Sequence, residues 1–492
     1  MLPDVLPSVL LNTGIIGIGD QRLWLAVGKG FLTSLILTPV VRDIFRAYNV
    51  VDRPGRRKVH AYPIPRVGGV PIAIGYLIAL WSLLSDDSGG PSDWIWKLLP
   101  GASLMFVTGL IDDFLSIRPV VKLLGEIAAA GVVYASGLRI QGMGDYTLPD
   151  WLSLPLTIFW LLLATNAQNL IDGLDGLCTG MGFFATVTFV CAGLIQTNAA
   201  LVSLALPLGG VLLGFLFYNF NPATVFLGDS GALTVGFLLG CFGLIWTEQG
   251  TGFFGTLVPI LAMIIPMMDL SLSIVRRSLR GQPIFSADRG HIHHKLLDRG
   301  FSVRRSALTL YAIAIVATAF AVLVSYPAAR SSHGVVVLGF GIAGWVGIGQ
   351  LRYPEFKVAG ELLFRGNWRR AFDRDLCLER LRTALNAART EDEWWKAVVA
   401  AAREQGWQSL CWTGYDPPRM ADLAERERVQ TDPDLEQSAW SFQIVLGHGQ
   451  AIQVEGPRRG KDKNAVPDLD LIALSELLRA TLAGKRSQPA FR

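Results

Sequence analysis

Carboxylate and amide side chains cluster beside glycines at the border of an apolar run. The segment NAQNLIDGLDG places Asp172 and Asp175 three residues apart. Asn166 and Asn169 precede them and share a similar stripe if the segment is helical. Aspartate and asparagine oxygens are ligands that Mg²⁺ prefers, and glycine lets the backbone approach a ligand closely. The pattern predicts a site for a metal and a phosphate group, with a capped glycine turn as the alternative.

Two further acidic motifs lie at similar borders. GLIDDF places Asp112 and Asp113 side by side, and repulsion between adjacent carboxylates makes one of them a candidate proton acceptor. A solvated helix end is the alternative. FLGDSG places Asp229 just before an apolar segment, where a carboxylate serves either as a helix N-cap or as the anchor of one divalent ion.

Histidines are concentrated in one loop. RGHIHHKLL contains His291, His293 and His294 and follows Arg289, and side chains of these types are natural donors to phosphate oxygens. Their spacing fits no common zinc pattern. An exposed histidine cluster is the alternative.

A second loop, DRPGRRKVHAYPIPRVGG, is basic and punctuated by proline. Lys58 and His60 are its best candidates for direct contact with phosphate groups. The alternative is a loop that sets membrane orientation and meets anionic lipid.

The elements that must hold these motifs are apolar. Of the 492 residues 51% are hydrophobic and only 17% are charged, against about a quarter in soluble domains. Stretches long enough to cross a hydrocarbon core of about 30 Å recur along the chain. Eleven are found, near residues 23–45, 69–85, 95–111, 121–138, 152–168, 178–196, 200–218, 229–246, 253–275, 306–326 and 333–351. The sequence therefore predicts an all-α polytopic membrane bundle of about eleven transmembrane helices.

The short loops between these stretches differ in basic charge. Alternate assignment to the two sides puts about fifteen Lys and Arg residues on one side, Arg66 among them, and four on the other. Because basic loops stay in the cytoplasm, we expect an external amino terminus and a cytoplasmic carboxy-terminal tail. All of the acidic, histidine and basic motifs then fall on the cytoplasmic side, which favours one composite site.

A composite site of this kind suits phosphoryl transfer onto a lipid phosphate. Carboxylates would hold one Mg²⁺ and supply a base, while basic groups would bind one substrate from the bilayer and one from the cytosol. We expect no nucleic-acid partner. A transporter with intramembrane carboxylates is the alternative from another class, although the acids lie on one side and no internal repeat is evident.

Five motifs, in this order, resemble those of the polyprenyl-phosphate N-acetylhexosamine-1-phosphate transferases of glycosyltransferase family 4. They are RPGRRKVHAYPIPRVGG, GLIDDF with RPVVKLL after it, NAQNLIDGLDGL, FLGDSG and ADRGHIHHKLLDRG, within roughly residues 20–352. The resemblance implies transfer of a sugar 1-phosphate from a UDP-sugar to undecaprenyl phosphate, with release of UMP. It also implies a need for Mg²⁺ (or Mn²⁺), a place in the bacterial inner membrane, and a homodimer.

The resemblance also implies roles for individual residues, and His60 and Asn166 are further expected substrate contacts. The implied assignments are Asp112 and Asp113 beside the prenyl phosphate, one as its base; Asn169 and Asp229 on the metal; Asp172 and Asp175 on the nucleotide diphosphate; Arg289, His291, His293 and His294 on the UDP-sugar; and Lys58 and Lys122 against phosphate charge.

The donor sugar is less well defined. The HIHH form resembles the branch that starts O-antigen (lipopolysaccharide), enterobacterial common antigen, teichoic acid or arabinogalactan synthesis from UDP-GlcNAc. UDP-QuiNAc, UDP-FucNAc and UDP-GalNAc are the alternatives. One position departs from the family, because KLLGEIAAA has Gly125 and Glu126 where a glutamine is common. Direct attack by the prenyl phosphate is favoured over a double displacement.

After Arg352 the composition becomes that of a soluble domain. Thr390, three residues before Glu393, predicts a helix with a capping box. WSFQIVLGHGQAIQVEG predicts a hairpin and DLDLIALSELLRATLAG a closing amphipathic helix, with Trp394, Trp395 and Trp407 as core residues. We therefore expect a sugar-1-phosphate transferase domain over 1–352 and a cytoplasmic α+β domain over 353–492, accessory or regulatory in role.

Overall fold

The computed structural model divides the chain into two compact units, Met1–Leu351 and Arg352–Arg492. Each unit has a hydrophobic core of its own. The structure describes residues 20–52, 63–84, 92–143, 146–248, 256–279, 291–326, 334, 338–339, 341, 368–404, 409–413, 419–422, 440–447, 450–456 and 471–486.

Helices dominate the first unit. They are α1 (Gln21–Ala47), α2 (Gly69–Trp81), α3 (Ser92–Leu115), α4 (Pro119–Ala135), α5 (Asp150–Leu170), α6 (Leu177–Ile195), α7 (Ala199–Asn219), α8 (Gly228–Glu248), α9 (Leu257–Ala262), α10 (Ile264–Leu279), α11 (Ile292–Asp298) and α12 (Val303–Ser325). A two-stranded antiparallel hairpin, β1 (Gly142–Met143) and β2 (Tyr146–Thr147), lies between α4 and α5.

The apolar stretches coincide with helices. Each of the first ten overlaps a helix, and six helices of the described chain are long and apolar enough to cross a membrane, namely α1, α3, α6, α7, α8 and α12. The chain is thus a multi-pass, mostly helical membrane protein. The count of eleven spans stays a prediction, because the last stretch, 333–351, falls largely outside the described residues.

One predicted span, 253–275, is divided in the structure. α9 ends at Ala262 and α10 begins at Ile264. Pro266 accounts for the interruption, because its ring crowds the carbonyl of Ala262 and it has no N–H to donate to that carbonyl. The second piece, α10, carries the buried carboxylate of Asp269.

α8 lies at the centre of the first unit. Its residues 230–246 are all buried, and it packs against α2, α3, α5, α6 and α7. Glycine makes this close packing possible. A Cβ atom placed on Gly236 would lie 2.8 Å from the Cβ of Gln168 in α5. Small residues let helix backbones approach in this way.

The second unit combines helices with an antiparallel sheet. It contains α13 (Trp368–Ala387), α14 (Glu391–Glu404), β3 (Ser409–Thr413), β4 (Arg419–Asp422), β5 (Trp440–Gly447), β6 (Gln450–Gly456) and α15 (Leu471–Arg486). The strand order is β4-β3-β6-β5. The predicted hairpin is present as β5 and β6, and the predicted closing helix is present as α15.

Tryptophans fill the core of the second unit. Trp394 is fully buried, and its ring centroid lies 5.3 Å from that of Trp412. Trp395 is also buried, whereas Trp407 lies outside the described residues. At the start of α14 the backbone N–H of Glu393 donates to Thr390 Oγ1 at 3.2 Å, which is half of the predicted capping box.

Candidate active site

The acidic motifs meet at the first turn of α8. Lys122, near the start of α4, lies between two carboxylates of different helices. Its Nζ is 3.0 Å from Asp112 Oδ2 at the end of α3 and 2.8 Å from Asp229 Oδ1 in α8. One ammonium group therefore joins three segments of the chain, and Lys122 lies 107 positions before its partner Asp229 in the sequence.

Asp113 contacts the start of α8 instead of Lys122. Its carboxylate accepts hydrogen bonds from the backbone N–H of Asp229 at 2.7 Å, from the N–H of Ser230 at 2.9 Å and from the hydroxyl of Ser230 at 2.5 Å. A carboxylate there satisfies the first N–H groups of the helix and matches its dipole. Asp113 thus caps α8, and the carboxylate of Asp229 is left to pair with Lys122 and to face the cavity described below.

Asp172 and Asp175 lie in turns that follow α5, not on the helical stripe of the two asparagines. Gly176 has a φ of +74°, a conformation that glycine adopts at little cost. Asp175 Oδ2 accepts hydrogen bonds from Asn221 Nδ2 at 2.8 Å and from the N–H of Ala223 at 3.0 Å. Asp175 therefore holds the loop that leads into α8.

A cavity of about 350 Å³ opens between these segments. Five residues predicted from the sequence line it. The complete lining is Asp52, Arg66, Asn169, Asp172, Gly173, Leu174, Asp175, Asn219, Phe226, Gly228, Asp229, His294 and Val303.

The carboxylates of the cavity influence one another. Burial raises the pKa of Asp172 to about 7, and repulsion by the Asp229 carboxylate acts in the same direction, while Arg66 opposes both effects. At pH 7 a substantial fraction of Asp172 is therefore protonated unless a cation enters the cavity.

Asn166 is held by a residue that the sequence marked only as a departure from the family. Its Nδ2 donates to Glu126 Oε2 at 2.6 Å and to the carbonyl of Leu162 at 2.9 Å. Glu126 is buried, with 1% of its surface exposed, and lies one turn after Lys122 on α4. Because both amide hydrogens are engaged, the Oδ1 of Asn166 is the atom left to accept a further hydrogen bond.

The histidine motif is anchored by a buried acid in α10. Asp269 accepts from the N–H of Ile292 at 2.9 Å, and its other oxygen lies 3.2 Å from Nδ1 of His291. Asp269 therefore fixes both the start of α11 and the orientation of the first imidazole. The rings of His291 and His293 are stacked, with centroids 5.6 Å apart.

His293 connects this motif to the aspartate turns. A Cβ atom on Gly173 would lie 2.5 Å from His293 Nε2, so only glycine leaves room for the ring at this point. Burial lowers the pKa of His293 to about 3, and its ring is neutral at pH 7. Neither ring nitrogen has a hydrogen-bond partner within the described part of the chain.

Of the sequence-predicted site, three residues lie outside the described residues, namely Lys58, His60 and Arg289. The others converge: Asn169, Asp172, Asp175, Asp229 and His294 line the cavity, and Lys122 pairs with Asp229 at its edge. His291 and His293 are packed behind His294. The roles assigned to all of these residues stay predictions.

The donor set of the cavity fits one Mg²⁺. Asp172, Asp229 and Asn169 supply the hard oxygen atoms that this ion prefers, and a divalent cation would relieve the repulsion between the two carboxylates. Among the described residues no group of three or more His, Cys, Asp or Glu side chains is arranged to hold a metal ion. Water and substrate phosphate would therefore have to complete the shell, as is usual for Mg²⁺.

Sequence reasoning missed four residues of this region. Asp269 could have been found as the lone acid of an apolar stretch. Arg66 was noticed only as a basic residue that sets orientation, and Glu126 only as a departure from the family. Asp52 carried no signal, because its contact with Arg66 is visible only in three dimensions.

Comparison with known proteins identifies the family. A model described as glycosyl transferase family 4 matches residues 95–247. A probable undecaprenyl-phosphate N-acetylglucosaminyl 1-phosphate transferase of Bacillus subtilis (strain 168) is 35% identical over 301 residues, which are 60% of this chain and 83% of that protein. The chain belongs to this family, the polyprenyl-phosphate N-acetylhexosamine-1-phosphate transferases, which confirms the resemblance seen in its motifs.

Two other relatives extend the comparison. A decaprenyl-phosphate N-acetylglucosaminephosphotransferase of Mycobacterium tuberculosis (strain CDC 1551 / Oshkosh) is 32% identical in an alignment of 330 positions that covers 60% of this chain and 80% of that protein. An undecaprenyl-phosphate alpha-N-acetylglucosaminyl 1-phosphate transferase of Escherichia coli O157:H7 is 29% identical in an alignment of 315 positions that covers 60% of this chain and 82% of that protein.

Proposed function

We propose that this protein transfers N-acetylglucosamine 1-phosphate from UDP-GlcNAc to undecaprenyl phosphate, releasing UMP and starting a lipid-linked envelope glycan. The observation that carries the proposal is the convergence of Asp112, Lys122, Asp172 and Asp229 at one end of an apolar helical bundle. The three relatives described above are all named as transferases of N-acetylglucosamine phosphate to a prenyl phosphate. Family membership favours this reading over a transporter.

The reaction is a direct displacement at phosphorus. An oxygen of the prenyl phosphate forms a bond to the β-phosphorus of the donor, and the bond from that phosphorus to the oxygen that bridges it to the α-phosphorus breaks. UMP leaves with that oxygen and its electron pair. Catalysis of such a transfer consists mainly of positioning and charge stabilisation.

Each residue of the site contributes to positioning or charge stabilisation according to where it lies. Asp112 accepts a proton when the prenyl phosphate arrives protonated, and Lys122 neutralises charge between the two substrates. Asp229, Asp172 and Asn169 would hold Mg²⁺, which supplies positive charge to the phosphate oxygens. His294 lines the part of the cavity that would bind the UDP-sugar, and the neighbouring rings of His291 and His293 hold its imidazole in place.

The remaining features complete the proposal. The basic residues near this end of the bundle favour a cytoplasmic site in the bacterial inner membrane, with the amino terminus outside. Mg²⁺ dependence, the UDP-sugar donor and a homodimer belong to the proposal on the ground of the family resemblance.

The test uses purified protein in detergent with undecaprenyl phosphate and Mg²⁺. UDP-GlcNAc, UDP-GalNAc, UDP-QuiNAc and UDP-FucNAc are offered separately, and UMP release is measured with and without the lipid acceptor. We expect lipid-dependent release with UDP-GlcNAc, abolished by EDTA. Release with another sugar alone would change the donor, and release with none would overturn the proposed function.

A further inference from the structure

Arg66 and Asp52 form an ion pair in the cavity that the mechanism above does not use. Arg66 Nη2 lies 3.2 Å from Asp52 Oδ2, and both residues line the cavity with Asp172 and Asp229. The two side chains differ in exposure, because 12% of the Asp52 side chain is exposed but 52% of the Arg66 side chain. The carboxylate is thus the fixed member of the pair, and the guanidinium faces open volume.

The backbone around Arg66 is held from two directions. Ile64 and Asp52 exchange hydrogen bonds at 2.8 and 3.1 Å. On the other side, the N–H of Phe226 donates to the carbonyl of Pro65 at 2.9 Å, and the N–H of Gly68 donates to the carbonyl of Phe226 at 3.0 Å. Arg66 therefore sits in a segment that is tied to the loop before α8, and its side chain enters the cavity from a preorganised position.

The negative charge of the cavity indicates a role for the Arg66 side chain. Four carboxylates line it within the described residues, those of Asp52, Asp172, Asp175 and Asp229. Substrates that carry phosphate groups are also anionic, so their entry requires fixed positive charge as well as a metal ion. Arginine suits this role, because its planar fork of five N–H donors matches phosphate oxygens and it remains charged at all working pH values.

We propose that Arg66 is a substrate-binding residue that donates hydrogen bonds to a phosphate oxygen in the cavity. Asp52 is the positioning residue that directs the guanidinium, since its pairing with Nη2 leaves the rest of the fork for the ligand. The phosphate belongs either to the nucleotide donor or to the prenyl acceptor. This inference rests on the proposed function.

The experiment compares full-length variants in detergent, with the concentrations of UDP-GlcNAc and undecaprenyl phosphate varied in turn. Arg66→Gln removes the charge and we expect it to raise the KM of one substrate by about 10- to 100-fold, the range of a lost charge-assisted hydrogen bond. Arg66→Lys keeps a point charge without the fork, so a smaller rise is expected. The substrate whose KM rises identifies the phosphate.

Asp52 is tested through its dependence on Arg66. Asp52→Asn should raise the same KM by a few-fold, with kcat less affected. The double variant Asp52→Asn/Arg66→Gln should be no worse than Arg66→Gln alone, because a positioning residue has no effect once its partner is gone. A merely structural carboxylate would instead add its own loss of melting temperature and activity.

The chain offers a matched control in a second Arg–Asp pair at the same end of α1. Arg42 Nε lies 2.7 Å from Asp43 Oδ1, and neither residue lines the cavity. Arg42→Gln and Asp43→Asn should leave both KM values unchanged. UDP-induced thermal stabilisation in Mg²⁺, a readout that needs no turnover, should be reduced in Arg66→Gln if the phosphate is that of the donor.

The outcomes separate the two proposals. An inactive wild-type protein overturns the proposed function. An active wild-type protein whose two KM values are unchanged in Arg66→Gln overturns this inference alone. If Arg66→Gln does not give monodisperse protein, Arg66→Lys is judged by the same criterion, and unchanged KM values in that variant also overturn the inference.

Discussion

Adjacent aspartates at the end of α3 have different partners, and this difference predicts different effects of the same substitution. Asp113→Asn should lower the melting temperature, because an amide cannot accept all three hydrogen bonds at the start of α8 and loses the charge that favours the helix dipole, at a cost of about 1–2 kcal/mol. Thermal unfolding in detergent measures this effect.

Asp112→Asn should instead lower the melting temperature less than Asp113→Asn does, because an amide oxygen can still accept from the N–H of Ile117 at 2.9 Å, and it should block transfer. Its side chain pairs with Lys122, and it is the candidate base for the prenyl phosphate. UDP-sugar binding should persist, and UMP release should fall by at least about 100-fold, a typical effect of losing a general base. Lost binding of the UDP-sugar would place Asp112 in the nucleotide pocket.

Glu126 predicts a third residue-scale effect. Glu126→Leu removes the acceptor for Asn166 Nδ2 and leaves a buried donor unpaired, so kcat should fall by about tenfold or more. Glu126→Gln can still accept from Asn166 through its carbonyl oxygen and should lose only a few-fold. Steady-state kinetics of the two variants decide this, and equal losses would mean that the charge of Glu126, not the orientation of Asn166, is what matters.

Side chains that carry the motifs could be predicted from the sequence, but their pairings could not. Nothing in GLIDDF distinguishes Asp112 from Asp113. The difference depends on which of the two side chains faces the start of α8, and α8 begins more than a hundred residues later in the sequence. Asp52 is a similar case. Residue type and order therefore indicated the chemistry, and only the packed fold assigned partners.

At the scale of elements, glycine sets the distance between α3 and α8. A Cβ atom on Gly109 would lie 2.6 Å from the carbonyl oxygen of Asp229. Gly109→Ala should push the first turn of α8 away from Lys122, at a cost of about 1–3 kcal/mol for overpacking, with loss of most activity. Melting temperature and UMP release measure the two effects.

α4 provides the control for this prediction. A Cβ atom on Gly131 would meet nothing within 4 Å, so Gly131→Ala should be active and stable, with a gain of up to about 1 kcal/mol from helix propensity. If Gly131→Ala were as harmful as Gly109→Ala, the damage would come from the helices themselves and not from contact at the site.

Helices were predicted well and their ends less so. Apolar length places the first ten stretches, because a membrane span must satisfy its backbone hydrogen bonds internally. Two local features were not anticipated. First, α5 ends before Asp172, although a helical stripe was considered there, because Gly173 and Gly176 follow. Second, Pro266 divides the ninth apolar stretch at Met263.

At the scale of the whole molecule, the two units have separate cores. A chain truncated after Gly360 should therefore fold and keep its kcat within a few-fold, because every described residue of the cavity belongs to the first unit. UMP release by the purified truncated protein measures this. A folded but inactive product would show that residues 361–492 take part in the reaction and do more than regulate it.

The cap on α8 has a consequence for inhibitors. The amino end of a helix is often where proteins receive an anion, but here the carboxylate of Asp113 already occupies that place. A phosphate mimic therefore gains little from the backbone of α8 and must obtain its affinity from cationic side chains such as Arg66 and from the proposed Mg²⁺. A neutral scaffold that chelates the proposed Mg²⁺ would bring no further negative charge to the four acids that line the described part of the pocket.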